Sequence, residues 1–360
     1  MKKMVGAALI GVVALTAAAC GEAPEDSASG SGGGESSSSD FTACMVTDSG
    51  GVDDRSFNQS AYEGLTALEE SEGIDVTLLE SSSEADFGPN LAQTTSGDCG
   101  ITVTVGFLLA EATAEAATSN PDQDFALIDS TTEEPMDNVK PLLFDTAQAS
   151  YLAGYAAAGT TQTGTVATFG GINIPSVTVF MDGFADGVAA YNEAKGTDVK
   201  LLGWDKAAQD GSFTGDFNNQ ANGQALTDTF IQQGADIVMP VAGPVGLGAA
   251  AAAQAAGNVK IIGVDSDWYE SAEQYAPIVL TSVVKEIDAA VEDVTTSAMA
   301  GEYSSEAYVG TLENGGVGLA PFHDFDAEVS DELKGELEDL QAQITSGELV
   351  IESPSAPSAS

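Results

Sequence analysis

The sequence predicts an α/β fold made of two doubly wound units. Three observations carry this reading. Short apolar runs alternate with helical patterns along most of the chain, the order that yields parallel sheets with crossover helices. The alternation starts afresh near residue 149. The chain has 360 residues, 43% of them apolar, enough for two domains with cores of their own.

In chain order, Lys2 and Lys3 precede an apolar run over residues 4–15, then Thr16-Ala17-Ala18-Ala19 and Cys20. This is the layout of an export signal, and its apolar run is too short to span a bilayer. A Cys directly after small residues resembles the bacterial lipobox, with Cys20 as the lipidated residue, although Ala17 stands where Leu is usual. Residues 21–40 are mostly Gly, Ser and acid and read as a flexible linker with a reach of roughly 25 Å.

The first unit reads as a strand over 41–47, a helix over 60–72 with Tyr62, Leu65 and Leu68 on one face, and a strand over 74–79. A wholly β-branched run over 101–105 reads as a buried parallel strand, followed by a helix over 111–118 and a strand over 125–128. The second unit has helices over 149–159, 177–193, 226–233 and 248–256. Between them lie strands over 165–169, 199–204, 237–240 and 261–264. A strand over 279–284, a helix over 285–300, a strand over 315–319 and a helix near 331–344 are too little for a third domain. They read as chain crossing back between lobes. Lobe 1 is then 41–145 plus about 268–310, lobe 2 is 146–267 plus about 311–345, and 346–360 is a polar tail.

The formal net charge of −46 excludes nucleic acid and anionic membrane surfaces as partners. Only ten residues are Lys or Arg, two of them in the leader, so a base at a position that reads as buried stands out. Export places the chain in an oxidising compartment. Beyond Cys20 there remain Cys44, in the first strand, and Cys99, just before the third. Those strands are neighbours in a doubly wound sheet, so a disulfide is geometrically allowed, with two buried thiols as the alternative.

The chemistry concentrates at strand ends, where such sheets hold their ligands. Asp48 ends the first strand and opens Asp48-Ser49-Gly50-Gly51-Val52-Asp53-Asp54-Arg55-Ser56-Phe57-Asn58-Gln59. Phe57 beside Asn58 is an odd helix cap. It offers an aromatic face next to an amide that both donates and accepts, which suits a planar heterocycle. Asp265 ends the run 261–264, and Lys285 ends 279–284. Two carboxylates can accept the hydroxyl hydrogens of a vicinal diol, and a lysine can offset their charge; a surface lysine with a buried stem is the alternative. Gly243-Pro244-Val245-Gly246-Leu247-Gly248 lacks dinucleotide-loop spacing and reads as a tight turn that brings helix N–H groups to the cleft, with Gly243 as a contact. His323 is the one histidine. No metal site, catalytic triad or Walker motif is present, so no catalytic residue and no cofactor is assigned. Paired carboxylates also serve glycoside hydrolysis, but tandem lobes behind a linker favour capture.

Residues 48–59 together with Ser150-Tyr151-Leu152-Ala153-Gly154, Gly234-Ala235-Asp236, Gly263-Val264-Asp265-Ser266-Asp267 and Thr281-Ser282-Val283-Val284-Lys285 resemble the basic membrane protein family. These are substrate-binding lipoproteins of ABC transporters whose best-understood members bind purine nucleosides. The resemblance runs from about residue 42 to the end of the fold. It implies a type I periplasmic-binding fold and a monomer that delivers a small molecule to a permease and its ATPase. It further implies that Phe57 stacks on a base, Asn58 bonds the base edge, and Asp48 and Asp265 hold ribose hydroxyls with help from Lys285. Phe213 would close the stack, with Phe217 the fallback, and Asp129 would read a base N–H. A sugar-binding protein of the same fold and a surface sensor or adhesion lipoprotein are the rival readings.

Overall fold

The computed structural model describes residues 40–357. The leader, Cys20, most of the linker and the last three residues lie outside the described residues. In chain order the first part contains β1 (Thr42–Ser49), α1 (Phe57–Glu72), β2 (Asp75–Ser81), α2 (Phe87–Ser96), β3 (Cys99–Val105), α3 (Ala110–Ser119), β4 (Asp124–Ile128) and β5 (Val139–Phe144). There follow α4 (Thr146–Thr160), β6 (Thr165–Gly170), α5 (Pro175–Lys195), β7 (Lys200–Leu202), and a hairpin of β8 (Trp204–Asp205) and β9 (Asp210–Gly211). Next come α6 (Gln220–Gln232), β10 (Ile237–Val241), α7 (Val245–Ala256), β11 (Lys260–Asp265), α8 (Trp268–Ser271) and β12 (Val279–Lys285). The chain closes with α9 (Ile287–Met299), β13 (Tyr308–Gly310), β14 (Val317–Leu319) and α10 (Asp331–Thr345).

These strands form two six-stranded sheets, ordered β13-β5-β4-β3-β1-β2 and β14-β12-β11-β10-β6-β7. Apart from the antiparallel edge strand β14, every pairing within them is parallel. The central strands are buried on both faces, which is why they read as continuous apolar runs. Each sheet with its helices is one lobe of a two-lobed α/β fold. The chain crosses between lobes three times: from β5 to α4, from β12 to α9, and from β13 to β14. Backbone bonds tie the crossings together, from Asp145 N to Gly310 O at 2.8 Å and from Glu286 N to Gly316 O at 3.0 Å.

One boundary expected from sequence is corrected. Residues 268–285 were assigned to lobe 1, but β12 hydrogen-bonds along β11, so they belong to lobe 2 and the crossing falls at Glu286. An apolar run cannot reveal which sheet it joins. Several elements escaped the sequence reading: α2, β5, the β8–β9 hairpin, the short α8 and β13. Helix α2 presents only Phe87, Leu91 and Thr94 to the interior, too few for a helical stripe. Strand β5 contains Pro141, which argues against a central strand; it is tolerated because β13 pairs only from Leu142 onward. Strand β13 has only three residues.

Cys44 and Cys99 form a disulfide, with their Cα atoms 5.8 Å apart across the paired strands β1 and β3. Helices α4 and α5 pack with almost no gap because Gly154, Gly183 and Gly187 stand at the crossing. A Cβ at Gly187 would overlap the carbonyl of Tyr151, and one at Gly154 the carbonyl of Phe184. Both obstacles are backbone, so neither can swing aside. Gly187→Ala is therefore expected to destabilise the protein by about 1–3 kcal/mol in urea unfolding. Unchanged stability would show that the helices can separate at no cost.

Candidate functional site

A chamber lies between the lobes at the carboxyl ends of the strands, the place where doubly wound sheets hold their ligands. Asp48, Asp129, Asp265 and Lys285 line it. Each stands at or just beyond the end of its strand: β1, β4, β11 and β12 respectively. Asp129 and Asp265 hold left-handed φ angles of 61° and 68°, unusual outside glycine. Gly106, at φ 109°, passes so close that a Cβ there would come within 2.5 Å of Asp48 Oδ2.

Lys285 is 4% exposed and spans the two lobes. Its Nζ lies 2.5 Å from Asp129 Oδ2 of lobe 1 and 3.3 Å from Asp265 Oδ1 of lobe 2. It also sits 5.0 Å from the ring centroids of both Phe57 and Phe180. Burial pulls its pKa down, but Asp129 and Asp265 outweigh burial and hold the ammonium above its ordinary value. The surface-lysine alternative is thereby excluded.

The segment before α1 is built around Asp54. Its carboxylate accepts from the backbone N–H groups of Ser56, Asn58 and Gln59 at 3.0, 2.8 and 3.0 Å, capping the helix. This cap starts α1 at Phe57, earlier than the hydrophobic spacing indicated. Asn58 Nδ2 donates to Asp48 Oδ1 at 3.0 Å and to Asp54 Oδ2 at 3.2 Å. Only the NH₂ end can serve two carboxylates, so the amide orientation is determined. Asn58 Oδ1 is left buried with no partner in the protein. An unpaired buried acceptor is costly, and this one belongs to a residue that lines the chamber.

From lobe 2 the chamber receives Phe180, Phe217 and the turn at Gly243, whose φ is 50°. Phe213, expected to close the stack, does not line it. Its backbone bridges Gly170, and its ring meets Trp204 edge-on at 6.1 Å. Phe217, the fallback, takes the place, and Gly171 leaves room for its ring. The two differ by four positions in an irregular loop, where no periodicity indicates which side chain turns inward. Sequence reasoning also missed Asp54, Gly106 and Phe180. Asp54 stands two positions before the N-cap Ser56, outside the usual capping pattern, so no sequence signal marked it. Phe180 reads as an ordinary core position of α5. His323 lies away from the chamber, with Nε2 2.6 Å from Asp267 Oδ2 and its ring stacked on Tyr269 at 4.0 Å.

Contacts across the cleft hold the lobes closed. Ser56 Oγ of lobe 1 lies 3.0 Å from both Val264 O and Asp265 Oδ2 of lobe 2. Ser266 and Ser271 donate their hydroxyls to Arg55 O at 3.0 and 2.9 Å. The result is a carboxylate-rich chamber with one cation, an aromatic wall from each lobe and a spare amide acceptor.

The profile of the family described as ABC transporter substrate-binding protein PnrA-like matches residues 41–354. The chain belongs to that family. It is a substrate-binding protein rather than an enzyme, and its partners are a small ligand and a transporter permease. A CD4+ T-cell-stimulating antigen of Listeria innocua is 32% identical over 354 residues, covering 92% of this chain and 93% of the relative. An ABC transporter nucleoside-binding protein, BmpA of Lactococcus lactis, is 32% identical over 298 residues, covering 78% and 81%. Among solved structures, a solute-binding protein of an ABC transporter system from Aeropyrum pernix matches with a TM-score of 0.80 and 27% identity, covering 87% of this chain and 94% of that one. Among the described residues no helix is long and apolar enough to cross a membrane.

The chamber makes a pH prediction. Burial pushes the Asp48 carboxyl up to about 7, against the hydrogen bond from Asn58. The folded chain therefore holds this proton more tightly than the unfolded chain does. Stability is lost as pH rises from about 4 to about 7, and the loss is complete above that. Asp48→Asn removes this cost. Its stability relative to wild type should rise by about 2–3 kcal/mol between pH 5 and pH 8 in denaturant titrations. A difference that does not change with pH would contradict the assignment.

Proposed function

We propose that this protein captures a nucleoside, with a purine base, outside the membrane and delivers it to the permease and ATPase of an ABC transporter. Cys20 would carry the lipid anchor and residues 21–40 the tether. The observation that carries the nucleoside reading is the set Phe57, Asn58 and Phe217. An aromatic ring from each lobe lines one chamber, beside a buried amide oxygen with no partner in the protein. A heterocycle inserted there gains two apolar faces and can donate an N–H to Asn58 Oδ1.

The sugar end falls to the carboxylates. Asp48 and Asp265 accept hydroxyl hydrogens, and Lys285 keeps their negative charge tolerable within a buried site. Asp129, expected to read the base, is engaged by Lys285 at 2.5 Å. Its proposed part is to position that ammonium. Because Asp48 serves as an acceptor when ionised, ligand binding should weaken below about pH 7. The nucleoside-binding name of the Lactococcus relative agrees with this reading.

Thermal-shift measurements against nucleosides, free bases and pentoses test it. A ligand at 100 times its dissociation constant adds about 2.7 kcal/mol of stability, so a purine nucleoside should raise the melting temperature by several degrees. Phe57→Ala should remove the response. A response to pentoses alone would transfer the site to a sugar, and no response to any nucleoside would refute the proposal.

A further inference from the structure

The C-terminal segment reads from sequence as a polar tail, and its described part is docked. Ile351 is buried. Lys206 Nζ donates to Glu352 O at 2.5 Å, and the hydroxyls of Thr178 and Ser355 share a hydrogen bond of 2.7 Å. Ser353 Oγ donates to Asp182 Oδ2 at 2.6 Å. Asp182 is fully buried in α5, where Oδ1 also accepts from Trp204 Nε1 and Gln209 Nε2, each at 2.9 Å. Ser353 thus satisfies the second oxygen of a buried carboxylate, a contact costly to leave unmade. Among the described residues, every outward hydrogen bond of residues 352–357 goes to lobe 2.

Residues 354–357 form one wall of a second cavity. Its other side belongs to lobe 1, through Phe107, Ser130, Thr131 and Phe144. Phe107, Asp129 and Ser176 line both this cavity and the ligand chamber, so the two adjoin. No Lys or Arg lines the second cavity, and Asp129 stands at the junction.

We propose that the C-terminal segment is a built part of the ligand site: the outer wall of a vestibule through which an uncharged polar solute enters and leaves the chamber. Docked on lobe 2 and facing lobe 1, it narrows the opening and slows exchange. The hydroxyls of Ser130, Thr131, Ser176 and Ser355 can hand a solute inward, while an anion finds no counter-charge there. The wall is independent of ligand identity; its effect on nucleoside exchange rests on the function proposed above.

Two readouts test it, using the full chain with Cys20→Ser so that Ser130→Cys supplies one free thiol beside the Cys44–Cys99 disulfide. Ser130 is 8% exposed. Removing residues 353–360 should speed maleimide labelling of that thiol at least tenfold in ligand-free protein. The double substitution Ser353→Ala with Ser355→Ala keeps every backbone atom of the segment and should give an intermediate increase, so the proposal remains testable if the shortened chain folds poorly. With wild-type residue 130, stopped-flow dissociation of inosine should quicken by a similar factor on truncation. Labelling unchanged in both variants would overturn the wall, and faster labelling with unchanged inosine dissociation would overturn its control of exchange. Faster labelling in a protein that binds no nucleoside would keep the wall and refute the nucleoside reading instead.

Discussion

The site depends on one buried ammonium. Lys285 ends the last long strand of lobe 2, one residue before the chain crosses to lobe 1, and it is the only base lining the chamber among the described residues. It touches a carboxylate from each lobe, so the charge balance and the lobe closure are one arrangement. Without Lys285, Asp129 and Asp265 would confront each other with no cation between them. With it, the chamber still holds more carboxylates than cations, since Asp48 and Asp54 line it too. The protein tolerates this surplus because each acid is paired or capped: Asp48 by Asn58, Asp54 by the start of α1, and Asp265 by Ser56 and Lys285.

The segment from Asp54 to Asn58 joins recognition to closure. Asp54 caps α1 and so fixes where Phe57 and Asn58 stand. Arg55 and Ser56, between them, receive and make the hydrogen bonds that cross to lobe 2. In the proposed function, a ligand held by Phe57 and Asn58 would bear on the same few residues that latch the lobes. Capture by closure around a hinge then needs no separate signal. The crossings at Asp145 and Glu286 are each tied by a backbone bond to the third, at Gly310 and Gly316.

Much of this was legible in the sequence, and the reasons for success and failure are physical. The parallel strands could be read because burial on both faces leaves them apolar, as in β10, or β-branched throughout their buried part, as in β3. Asp48, Asp265 and Lys285 could be placed because strand ends are fixed points in a doubly wound sheet, and the scarcity of bases made Lys285 conspicuous. Sheet membership of β12 could not be read, since the same run suits either lobe. Phe213 and Phe217 could not be told apart, since an irregular loop gives no period. Phe180 was invisible because a helix position facing a ligand and one facing a core carry the same residue type. The docking of the tail could not be read from its Ser and Pro residues, since their partner Asp182 lies buried far away in sequence.

For the nucleoside proposed as ligand, surplus carboxylates and a single lysine would favour the uncharged molecule over its charged counterpart. A phosphate about 4 Å from a carboxylate with no cation beside it, such as Asp48, is opposed by roughly 4 kcal/mol at an effective dielectric of 20, about three decades in affinity. Calorimetric titration of a purine nucleoside and of its 5′-monophosphate at pH 8 measures this directly. The account predicts that the nucleoside binds on the order of 1,000-fold more tightly. Equal or tighter binding of the monophosphate would contradict it.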